Sequence, residues 1–137
     1  REAALDARNR TLVTIALAVL RTLLGLCFVA AGIFQLIAFG TFTANFARWG
    51  LPVPGIIVVL VAAIEIVCGA LLAVGALTRP VGLLLATLMV GAILTAGRVD
   101  GGPWLIAPPL LFALAVFFAW RSARFPGLTA ERRPGVQ

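Results

Sequence analysis

The chain has 137 residues, 62% of them hydrophobic and 12% charged, with a formal net charge of +6. Soluble domains carry about a quarter charged residues, so this chain has too little charge to clothe a water-facing surface. Its mean hydropathy of +1.12 points to lipid as the solvent for most of it. The basic residues are all Arg and cluster at the edges of apolar runs, which speaks for membrane orientation and against a nucleic-acid-binding face. With no His, the commonest metal ligand and general base is missing.

In chain order, the first apolar run extends from Leu12 to Phe39, interrupted by Arg21 and Gln35. It exceeds the roughly 20 residues that cross a bilayer. Arg21 breaks its core and Leu26 precedes Cys27, so a membrane span is expected here and not a cleaved signal. Gly40 to Pro52 mixes Phe42, Phe46 and Trp49 with Asn45 and Arg48. It reads either as a short interfacial helix or as an irregular loop, being too short for periodicity to decide.

The second span, Pro54 to Ala76, contains one charge, Glu65. A very short link, Leu77-Thr78-Arg79, leads to the third, Pro80 to Gly97, so these two form an antiparallel hairpin. The fourth, Pro103 to Trp120, has Trp104 and Trp120 at its ends, where indoles favour the headgroup region. Pro108 and Pro109 fall inside that run and are expected to bend it or loosen its first turns. The fold class is therefore all-α: an antiparallel four-helix membrane bundle, one domain over 1–137, with spans at about 12–39, 54–76, 80–97 and 103–120. Four crossings place Arg1, Arg8, Arg10, Arg79, Arg121, Arg124, Arg132 and Arg133 on one side, against Arg48 and Arg98 on the other. Because cytoplasmic loops carry the excess of Lys and Arg, both termini are expected in the cytoplasm.

Arg21, Gly25, Phe28, Gly32 and Gln35 recur at steps of four and three and share one stripe of the first span. The same stepping in the second gives Ala62, Glu65, Gly69, Leu72 and Ala76. Small residues admit close helix approach and polar ones avoid lipid, so the two stripes are expected to face each other. A helical rise places Arg21 about 10 Å deeper than Glu65, which leaves two outcomes for Arg21: pairing with Glu65, or snorkelling to the headgroups. Three roles fit Glu65: glue between helices, a proton carrier, or a polar handle for a small molecule such as a quinone. Thr87, Gly91, Thr95 and Arg98 form a further stripe suited to helix packing, and Arg98 and Asp100 read as a local ion pair. Cys27 and Cys68 come out at similar depth. Buried thiols of this kind are ordinarily small hydrophobes, and neither is assigned a redox role.

The string Arg21 to Leu36, the Gly50-Leu51-Pro52 turn, Glu65 to Gly69, and Gly75 to Arg79 ahead of a small-residue helix together resemble the DoxX family. The resemblance implies a four-helix protein of the bacterial cytoplasmic membrane. It also implies an association with redox systems, including thiosulfate and quinone oxidoreduction. One departure is Gln35, at a position where members often carry Lys. The leading expectation is an accessory subunit of a redox or cell-envelope complex, assembled with other membrane subunits or as a homo-oligomer, with no catalytic residue assigned and Glu65 the candidate for one. The alternatives are a quinone-linked oxidoreductase subunit, with Arg21, Gln35 and Glu65 around the head group, and an oligomeric small-solute transporter. No metal is expected.

Overall fold

In a computed structural model, which describes residues 1–124, five α-helices carry most of the described residues. They are α1 (Glu2–Ile37), α2 (Phe39–Arg48), α3 (Pro54–Val74), α4 (Thr78–Ala92) and α5 (Ala107–Arg124). A π-helical turn, Ile93–Gly97, prolongs α4, and a 3₁₀ turn, Gly102–Leu105, precedes α5. Four helical segments are long and apolar enough to cross a membrane: Glu2–Ile37, Pro54–Val74, Thr78–Gly97 and Gly102–Ser122. The chain is a membrane-spanning helical bundle. Arg132 and Arg133 lie outside the described residues.

No proline interrupts the stretch from Glu2 to Ile37, and α1 is a single helix of 36 residues. That corresponds to about 54 Å, well beyond a bilayer core of about 30 Å. Its first twenty residues are nearly all exposed, and the helix joins the bundle only from Arg21 onward. The segment after Ala38, left open by the sequence, is helical: α2 turns one aromatic face inward and buries Phe46.

Pro54, Pro80, Pro108 and Pro109 fall in the first turns of helices and not in their interiors. Pro54 begins α3, and Pro80 falls in the first turn of α4. Pro108 and Pro109 also lie in a first turn, because α5 starts at Ala107 and not near Pro103. Of the two outcomes expected for the fourth span, its start is loosened: a 3₁₀ turn, Gly102–Leu105, and a break at Ile106 precede α5, whose first-turn amide protons have no helical acceptor to lose.

The α3–α4 connection is tight. Gly75, at φ +80°, ends α3 with paired bonds from its own N–H to Leu72 O (3.1 Å) and from Ala76 N–H to Leu71 O (2.9 Å). Leu77 follows in the left-handed region and starts α4. The helices of the bundle associate in two pairs, α1 on α3 and α4 on α5, which meet chiefly through α3 and α4. Phe28, Leu72 and Leu85 are sealed at the centre of the core.

A candidate ligand cavity beside Glu65

The α1–α3 seam is built on glycine. A Cβ on Gly25 would lie 2.5 Å from Ala73 N, and one on Gly69 would lie 2.6 Å from Gly25 O and 2.9 Å from Val29 N. A Cβ on Gly32 would lie 2.7 Å from Ala62 O. Backbone thus meets backbone along the crossing, the arrangement that small residues permit in membranes. The buried residues of α1 (Leu24, Gly25, Phe28, Gly32, Gln35) and α3 (Val58, Ala62, Glu65, Cys68, Gly69, Leu72) follow the two stripes read from the sequence. Thr22 Oγ1 adds a hydrogen bond to Ala73 O at 3.1 Å.

The two polar residues of this seam find each other. Gln35 Nε2 donates to Glu65 Oε2, and the residues are 7% and 4% exposed. Arg21 is not their partner. Its guanidinium packs over Gly75, with Cζ 2.8 Å from where a Cβ would stand. That point lies about 15 Å further along α3 than Glu65 at a helical rise. Of the three candidate ligand contacts, the fold therefore brings Gln35 and Glu65 together and leaves Arg21 at the far end of α3, beside the α3–α4 turn. Cys27 is exposed, Cys68 is buried in the core, and both are free thiols.

Because α1 and α5 scarcely touch, the two helix pairs leave between them a cavity of about 500 Å³. Volumes of 300–1,000 Å³ are typical of small-molecule sites. Gln35 and Glu65 lie on its α1–α3 wall. The opposite wall includes Thr87, Gly91 and Thr95 of α4 and its π turn. The sequence assigned these three to helix packing, but a Cβ on Gly91 would meet nothing within 4 Å. The packing stripe of α4 is instead Val81, Gly82, Leu85, Ala86 and Met89. A Cβ on Gly82 would lie 2.8 Å from Ala115 O, which marks the close α4–α5 approach.

One end of the cavity is aromatic. Phe34, Phe42, Phe46, Trp49 and Trp104 line it and form a chain of ring contacts with centroids 5.2–6.4 Å apart. Asp100 ties this end together across the two helix pairs. It accepts from Arg48 Nη2 at 3.1 Å and from Trp49 Nε1 at 2.7 Å, and Arg48 also holds Asn45 Oδ1. The local Arg98–Asp100 pair expected from the sequence is thus replaced by a bridge to α2, which fixes Arg48 opposite Asp100. The sequence offered no signal for that distant pairing beyond the polar and aromatic makeup of the segment.

A family model, DoxX, matches residues 16–98, from within α1 to the end of the third span. The chain belongs to the DoxX family. The match takes in the glycine seam, the Gln35–Glu65 pair, α2 and the α4 wall of the cavity, and stops before Asp100, Trp104 and α5. No curated protein and no solved structure matches the chain.

Proposed function

We propose that this DoxX protein is an accessory subunit of a membrane redox complex, and that its own contribution is a binding site for a quinone in the cavity beside Glu65. The observation that carries the reading is the cavity itself. Its volume suits a quinone head group with the first part of a tail, its walls are almost wholly apolar, and its buried polar pair, Gln35 and Glu65, sits on one wall. Ligand sites of this kind combine an apolar lining with a few polar groups that set orientation. Nothing in the pair is a redox group, so electrons would have to enter and leave through a partner subunit. That argues for an accessory role over a self-sufficient enzyme.

The same reading takes residues 1–137 as one DoxX-like domain in the bacterial inner membrane, with both termini in the cytoplasm. A solute transporter has less in its favour, since the cavity lies within one small bundle that lacks the inverted halves many transporters use.

Protein extracted from native membranes in mild detergent is expected to copurify with larger subunits and to release quinone into organic solvent, detected by mass spectrometry. Gly91→Phe supplies the control. It places bulk in open space on the cavity wall and is expected to abolish the quinone while preserving the helical circular dichroism. An isolated chain with no quinone and no partner would refute the proposal.

A further inference from the structure

We infer that the arginine end of the bundle holds a binding site for the phosphate of an anionic phospholipid, formed by Arg21 and Arg79 at the α3–α4 turn with Arg121 of α5 beside them. The site stands apart from the cavity and does not depend on what the cavity binds.

Helix register brings the three cations to one level. The Arg21 guanidinium lies over Gly75, its Cζ and Nη2 both 2.8 Å from where a Cβ would stand. Arg79 follows in the first turn of α4. Between α4 and α5, a Cβ on Gly82 would lie 2.8 Å from Ala115 O and 3.0 Å from Ala119 Cβ. Arg79, one turn before Gly82, therefore stands level with Arg121, just beyond Ala119.

No acidic side chain opposes this charge. Among the described residues the side-chain carboxylates are Glu2, Asp6, Glu65 and Asp100. Asp6 holds Arg10, Glu65 accepts from Gln35, and Asp100 holds Arg48. Asp6 lies about 22 Å from Arg21 along the helical rise, and Glu2 lies further still. Arg21 is half-buried, and its Nε is withdrawn from solvent with no hydrogen-bond partner. Neither Arg79 nor Arg121 has a partner among the described residues.

The setting of Arg79 sharpens the imbalance. α4 starts with no side-chain cap and no acidic residue in its first turn, so Arg79 sits at the positive end of the helix dipole, where a cation is disfavoured and an anion favoured. A phosphate diester offsets that repulsion, and its oxygens match the fork of a guanidinium. Leu20, Val74 and Leu77 stand exposed around the same turn. They give acyl chains an apolar rim that a free phosphate would leave bare, which favours a lipid as the source of the phosphate. Basic pockets between helices at a membrane surface recognise lipid head groups in this way. A zwitterionic lipid carries a cation of its own toward the three arginines and is disfavoured.

The purified full chain is mixed in non-ionic detergent with equimolar phosphatidylglycerol and phosphatidylcholine of the same acyl chains, and the lipid it retains is counted by native mass spectrometry. Phosphatidylglycerol is expected to be retained about tenfold over phosphatidylcholine, the difference that one charge-assisted hydrogen bond supplies. The preference is expected to be lost in Arg21→Gln and in Arg79→Gln, and kept in Arg98→Gln at the other end of the bundle. Circular dichroism checks the fold of each variant. If Arg21→Gln loses its helical signal, Arg79→Gln, a change at an exposed position, carries the test alone.

Equal retention of the two lipids by the wild-type chain would overturn the inference, and so would a preference that survives in the folded variants. Inorganic phosphate displacing phosphatidylglycerol at millimolar concentration would reassign the site to a soluble anion. A preference lost equally in Arg98→Gln would reduce the effect to net charge and remove the site.

Discussion

Gln35 and Glu65 are both withdrawn from solvent and lipid, so each depends on the other for its hydrogen bonding. Removing one partner from such a pair leaves the other to bear its desolvation cost. Gln35→Leu is expected to lower stability by about 1–2 kcal/mol, measured by equilibrium unfolding in mixed SDS micelles. The glycines of the seam are less forgiving, because their neighbours are backbone atoms that cannot rotate away. Gly25→Leu is expected to cost about 3 kcal/mol. Gly40→Ala, in α2 with open space around it, is expected to be neutral or to gain up to about 1 kcal/mol from helix propensity. Equal costs at the two glycines would argue against close backbone contact at the seam. Stepping by three and four was enough to put Gly25, Gly32, Gln35, Glu65 and Gly69 on facing stripes. It gave no means of choosing Glu65's partner, because a residue's height along its own helix says nothing of how far the neighbouring helix is shifted. Arg21 and Gln35 share a stripe, and only the observed register assigns one to Gly75 and the other to Glu65.

At the scale of single elements, α2 is where pattern reasoning stopped short. Ten residues give fewer than three turns, too few for a period to stand out, and what holds α2 in place comes from far along the chain. Arg48 and Trp49 reach Asp100 from a distance of about fifty positions. Arg48 remains 54% exposed and Asp100 20% exposed in their side chains, so solvent screens much of their attraction. A double-mutant cycle on Arg48→Ala and Asp100→Asn is expected to give a coupling of about 1 kcal/mol. Each single change is also expected to shift tryptophan emission to the red, as Trp49 and Trp104 lose their packing at the cavity end. A coupling near zero with unchanged emission would mean that ring contacts alone hold α2. The α4 stripe teaches the complementary lesson. Thr87, Gly91 and Thr95 have the composition of a helix interface, yet each threonine bonds its own preceding turn. Small residues can equally leave a helix face vacant, and composition does not distinguish a close crossing from a cavity wall.

For the molecule as a whole, the number of spans and their up-and-down alternation were legible because lipid demands long apolar helices and the links between them are short. The association into two pairs was not legible, since any two apolar faces can meet, and the cavity exists only because α1 and α5 stand apart. Direction has a consequence that can be checked chemically. The Arg21–Gly75 contact sets the α3–α4 turn beside α1 where that helix enters the bundle, and the Gly82–Ala115 approach sets the last turns of α5 near the same end. Arg79 and Arg121 therefore lie at one end of the bundle, while Arg48, Arg98 and Asp100 lie at the other. If the arginine-rich end is cytoplasmic, the side that the bias of basic residues in membrane proteins favours, the two ends differ in their access to impermeant reagents. In a Cys27→Ser, Cys68→Ser background, Arg98→Cys is expected to react with a membrane-impermeant maleimide in intact spheroplasts, and Arg79→Cys only after the membrane is opened. Labelling in the opposite order would invert the protein in the membrane. The aromatic end of the cavity would then face the cytoplasm, and a redox partner meeting it would have to be sought on that side.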